Sequence, residues 1–138
     1  MKEIQNSEQT YILASFFTSD NPYALHILPE LLSLQADEET SVRVLLICLD
    51  QGPAQTSSFS RNLREQTGGA KIFHFPPQQA VASLPVLYPE WDQSTPLNMI
   101  FTQEGRLVEA TGPTDPKEVR LMLHHDQMEQ TFRREALR

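Results

Sequence analysis

Residues Tyr11 to Leu34, YILASFFTSDNPYALHILPELLSL, set an apolar run, a polar break and a helical pattern in direct succession. The run Tyr11 to Phe17 is rich in residues that favour a buried strand, and Thr18-Ser19-Asp20-Asn21-Pro22 ends it. A helix is expected to follow. Pro22 suits its first turn, where the missing N–H would have no partner, and Asp20 or Asn21 can accept the N–H groups just beyond. Helix N-termini collect unpaired donors and a partial positive charge, so Asn21 to Ala24 are placed for recognition or surface chemistry. Leu25, Leu28, Leu31, Leu32 and Leu34 make the apolar face, and Pro29 should kink the helix before the acidic loop Gln35 to Thr40.

The chain has 138 residues, enough for one domain with a real core. Its net charge of −7, from 18 acidic and 11 basic residues, disfavours nucleic acid as a partner, and no basic cluster with interleaved aromatics reverses that. There is 1 cysteine, Cys48, so an internal disulfide is ruled out. The ten residues Met1 to Thr10 are polar and the apolar run after them is short, which reads as no signal peptide and a cytoplasmic location, or a periplasmic one if a leader has been removed. No stretch is long enough to insert into a membrane as a helix.

Val42 to Leu49, VRVLLICL, reads as a strand buried on both faces, with Cys48 as a small core residue. Thr56 to Gln66 reads as a modest helix, Lys71 to Phe75 as a short strand, and Gln78 to Leu87 as an irregular helix broken at Pro85. Leu97 to Phe101 and Arg106 to Ala110 form a hairpin across Thr102-Gln103-Glu104-Gly105, with glycine where positive φ is needed. A final helix starts near Thr114 to Pro116 and packs through Val119, Leu121, Met122 and Leu123. The tail from His124 either extends that helix or frays. Residues 1–10 are thus a loose N-terminal segment, 11–125 the domain and 126–138 a helical extension or frayed tail. The strand–helix order predicts an α/β fold, a central mixed sheet of four or five strands with helices on both faces and the first two strands parallel and adjacent.

Two segments resemble the thioredoxin-like superfamily, in its TlpA/ResA-like branch. There a strand ending Phe-Trp-Ala-Ser-Trp enters Cys-Pro-Pro-Cys and reaches Pro-Glu-Leu; here Phe16-Phe17-Thr18-Ser19-Asp20 and Pro29-Glu30-Leu31 hold the flanking places without a gap. The cysteine positions fall on Asn21 and Ala24. Thr95-Pro96-Leu97-Asn98-Met99-Ile100-Phe101 matches the segment in which that family carries a cis-proline before a strand, so Thr95-Pro96 is expected to be cis. The resemblance spans Tyr11 to His125 and implies the thioredoxin-like fold.

Amide and methyl groups cannot exchange a disulfide, because that reaction starts from a thiolate. Ser19, Asp20 and His26 do not constitute a nucleophile with an oriented base, and helix capping explains Ser19 and Asp20. Glycine-rich phosphate loops and cysteine metal clusters are missing, and adjacent His124-His125 face different ways on a helix, so no metal or cofactor is expected. The leading reading is a redox-inactive protein-binding, chaperone or assembly factor. Its binding residues would be Phe17, Asp20, Asn21, Pro22, Tyr23, Trp91, Thr95 and Pro96, meeting another protein or an extended peptide. Two readings stand beside it: a thiol-dependent oxidoreductase or peroxidase-like enzyme using Cys48, and a structural homodimeric subunit joined through Tyr88 and Trp91.

Overall fold

Alternation along Tyr11–Phe17 decides the architecture. This first strand, β1, turns Tyr11, Leu13, Ser15 and Phe17 to one side and Ala14 and Phe16 to the other, and nearly all of it is buried. A strand buried on both faces needs a neighbour on each edge and a layer on each side. In the computed structural model, which describes residues 10–37, 41–49, 61, 65 and 71–136, it has both.

The order of elements is β1, helix α1 (Pro22–Leu32) running into a 3-10 turn (Ser33–Ala36), β2 (Val42–Cys48), β3 (Ile72–His74), α2 (Pro77–Leu87), β4 (Leu97–Thr102), β5 (Leu107–Thr111) and α3 (Pro116–Ala136). The sheet has 5 strands in the order β3-β2-β1-β4-β5. β1 pairs in parallel with β2, Tyr11 opposite Val42 and Phe17 opposite Cys48, and antiparallel with β4, Phe16 opposite Leu97. The expected mixed sheet, with Val42 onward central and parallel to β1, is therefore present.

Each face carries helices. Ile27, Leu28 and Leu31 of α1 and Val119 and Leu123 of α3 join Leu13, Phe17, Val44, Leu46, Cys48 and Ile100 in one cluster. Ala80 and Leu84 of α2 join Ala14, Phe16, Leu49, Leu97 and Met99 in the other.

Several boundaries move from the sequence reading. Pro85 does not break α2, because it lies in the last turn, where one missing N–H leaves only a single carbonyl bond unmade; the Tyr88 N–H still reaches the Leu84 carbonyl at 2.8 Å. Pro29 lies inside α1. β3 is confined to 3 residues, and Gly105 turns the β4–β5 hairpin with φ +95°. α3 runs for 21 residues to Ala136. The segments 1–9 and, apart from Arg61 and Glu65, the helix expected over Thr56 to Gln66 lie outside the described residues.

Among the described residues one charged side chain is buried. Asp126, on α3, is 5% exposed and accepts hydrogen bonds from the Tyr11 hydroxyl at 2.9 Å, the Gln130 amide at 2.8 Å and the Arg106 guanidinium at 3.2 Å. These donors come from the start of β1, the same helix and the β4–β5 turn, so a buried carboxylate is fully met by partners from three elements.

Candidate functional site at the Pro96 end of the sheet

Sheet register brings the two loops singled out in the sequence to one end of the molecule. Because Phe16 lies opposite Leu97, the turn leaving β1 and the Pro96 turn entering β4 emerge side by side. The Thr95–Pro96 bond is cis, as expected.

The β1–α1 turn is held by short local bonds. The Thr18 hydroxyl donates to Asp20 Oδ1 at 2.6 Å, and the Asn21 N–H reaches the Thr18 carbonyl at 3.2 Å. Asn21 is the N-cap: its backbone is extended (φ −93°, ψ 108°) and its Oδ1 accepts the Tyr23 N–H at 2.9 Å. Pro22 follows at the first helical position. Asn21 is thereby committed to starting a helix, and Ala24 lies within that helix's first turn. Tyr23 is half-buried, and its hydroxyl donates to the Thr114 carbonyl at 2.9 Å, tying α1 to the segment before α3. Burial, followed by the negative charges of Asp115, Glu118 and Glu30, raises its phenol pKa.

The second loop folds around Asp92. Its Oδ1 accepts from the Ser94 N–H at 2.9 Å and from the Ser94 hydroxyl, while Gln93 takes a positive φ of 71° between them. The two Ser94 bonds hold the Asp92 carboxyl below the usual aspartate range. Trp91 is half-buried and directs its indole N–H to the Ser94 carbonyl at 2.9 Å, so ring and turn are fixed together.

Tyr88, Trp91, Pro96 and Leu97 then line a groove of about 180 Å³, closed by Thr111 and Gly112 at the end of β5 and edged by Glu90, Asp92 and Ser94. Its lining is more polar than apolar: the side chains of Tyr88 and Trp91 stand among polar groups that include the Glu90 and Asp92 carboxyls.

The expected site residues therefore separate. Trp91 and Pro96 share the groove, with Thr95 half-buried beside them. Asp20, exposed, and Asn21 and Tyr23, half-buried, stand at the same sheet end but outside the groove lining. Phe17 is 0% exposed and supports this end from beneath. Glu90, Asp92, Ser94, Thr111 and Gly112 were not singled out from the sequence. The Asp-Gln-Ser spacing is an Asx-turn signal that marks Asp92 and Ser94, whereas nothing local places Thr111 and Gly112 beside Pro96.

Cys48 is 0% exposed at the end of β2, its sulfur inside the α1-side core. Among the described residues no group of three His, Cys, Asp or Glu side chains could hold a metal ion. No helix among them is long and apolar enough to cross a membrane.

A mixed five-stranded sheet with helices on both faces, a helix starting directly after the central strand and a cis-proline beside it define a thioredoxin-like fold. Solved structures bear this out. A thioredoxin-family thiol:disulfide interchange protein from Chlorobium tepidum superposes with a TM-score of 0.63 at 10% identity, over 88% of this chain and 82% of its own. The exposed lipoprotein thioredoxin of Streptococcus pneumoniae gives 0.65 at 16% identity, over 88% and 89%. StoA from Bacillus subtilis gives 0.56 at 15%, over 83% of both chains. No protein-family model and no curated protein matches the sequence. At these identities the likeness is one of fold, and function has to be argued from the site.

Proposed function

We propose that this chain is a redox-inactive thioredoxin-like protein, of the TlpA/ResA-like branch, that binds an extended segment of another polypeptide in the Pro96 groove, in a chaperone or assembly role. The carrying observation is the use made of the α1 start: Asn21 spends its side chain on capping the helix at 2.9 Å, Ala24 is a methyl, and the chain's single cysteine is 0% exposed. Dithiol exchange needs an attacking thiolate and a resolving thiol. Neither position supplies one.

What remains at this end of the sheet is suited to recognition. Trp91 and Tyr88 offer area with few rotatable bonds, and their loop is already rigidified by the Asp92–Ser94 turn, so little ordering is required on binding. β5 ends at the groove and can present backbone groups to an extended chain. Glu90 and Asp92 on the rim favour a segment carrying lysine or arginine.

Two measurements test this reading. The purified protein should not accelerate insulin reduction by dithiothreitol; turnover above background that disappears in Cys48→Ala would instead establish the thiol enzyme. Fluorescently labelled extended peptides with basic residues should bind with a rise in anisotropy, shift Trp91 fluorescence in the wild type and lose affinity, read by anisotropy, in Trp91→Ala. Equal binding by a folded Trp91→Ala variant would move the interface away from the groove.

A further inference from the structure

Ser15 and Asn98 form an isolated polar pair in the interior. They are opposite one another across β1 and β4, 0% and 2% exposed, on the face covered by α1 and α3. Asn98 Nδ2 donates to the Gly112 carbonyl at 2.8 Å, which fixes the amide and turns Oδ1 away from that bond. Ser15 Oγ and Asn98 Oδ1 then have no hydrogen-bond partner, and they do not bond each other.

We propose that one internal water molecule is bound between Ser15 Oγ and Asn98 Oδ1, joining β1 to β4 beneath the Pro96 turn. Buried polar atoms are almost always satisfied, and an amide oxygen and a hydroxyl on directly opposed residues of neighbouring strands can both be met by one molecule that donates and accepts. Water does this: it donates to Oδ1 and exchanges a bond with the serine hydroxyl. In the row Tyr11, Leu13, Ser15, Phe17 the serine is the one short member, set beside Leu46 on β2. A larger ligand is excluded by the complete burial of both residues. The site is separate from the groove, whose lining includes neither residue.

The bound water makes an unusual prediction about sign. If the pair were dry, Ser15→Ala would delete an unsatisfied hydroxyl and leave stability unchanged or raised. With the water in place the same substitution removes one of its partners, and the folded-to-unfolded ratio falls roughly 5-fold. The experiment combines urea titration of wild type and Ser15→Ala with a high-resolution crystal structure of the full chain and water-selective nuclear Overhauser spectra of the Asn98 side-chain amide. An ordered oxygen within hydrogen-bond distance of both atoms, a persistent water cross-peak and a destabilised Ser15→Ala are expected. A Ser15 hydroxyl bonded directly to Asn98 or to a main-chain carbonyl, with no ordered oxygen between, overturns the proposal. So does a Ser15→Ala variant as stable as wild type or more so. If that variant does not fold, the crystal and the wild-type spectra decide alone.

Discussion

Tyr11 and Asp126 show how a residue's role can be hidden from its local sequence. Tyr11 reads as a strand residue and Asp126 as part of a tail that either extends the last helix or frays; neither assignment hints that the phenol donates to the carboxylate across 115 positions of sequence. The signal is absent because periodicity reports which face a side chain takes, not which distant charge it meets. Burial first, then the hydrogen bond to Asp126 and its negative charge, raise the Tyr11 pKa well above its ordinary 10.0. The folded protein thus keeps a proton that the unfolded chain gives up, so this contribution is complete below pH 10.0 and is lost as pH climbs beyond it. Tyr11→Phe should cost about 1.5–3 kcal/mol at neutral pH, the usual worth of a hydrogen bond to a charged group. Above pH 10.0 the variant's stability should fall less steeply than wild type, which urea titrations at stepped pH will read. Asp126→Ala strips Tyr11, Arg106 and Gln130 of a common acceptor and should cost more than Tyr11→Phe alone.

Elements were legible where burial is continuous and obscure where it is one-sided. β1 has the bounds its apolar run gives, and β4 begins where Pro96 releases the chain. α3 was open beyond His124 because Met128 and Phe132 do not point at the core; they are 59% and 78% exposed, and residues 131–136 are all exposed. Its last turns persist through local terms, including Glu129 four residues before Arg133, the favourable order for a helix pair. Ending the chain after Gln130 should therefore remove helical circular dichroism while shifting stability by less than about 0.5 kcal/mol. Leu31→Ala, in α1 at 0% exposure, should cost about 2–5 kcal/mol. The Trp91 loop has its own acid limit. Asp92 contributes to the turn above the ordinary aspartate value of 3.8 and stops contributing as pH falls through its lowered pKa. Trp91 fluorescence should change with a midpoint below 3.8, and Ser94→Ala should move that midpoint upward.

At the scale of the molecule, the order of strands and helices was readable because each crossover has few allowed routes, and the sheet β3-β2-β1-β4-β5 follows them. The groove was half readable: Trp91 and Pro96 lie on one loop, but Thr111 and Gly112 join them only through the β4–β5 pairing. Two clusters of side chains share one sheet, so loss of tryptophan fluorescence and of far-ultraviolet circular dichroism should coincide in urea. The Asp126 junction has a further consequence, in time rather than in energy. It joins the first strand to the last helix across 115 positions, and a contact of that separation is expected to form on the late side of the folding barrier. Replacing Tyr11 or Asp126 should leave the refolding limb of a chevron nearly in place and raise the unfolding limb, making the junction a latch on how long the folded molecule lasts.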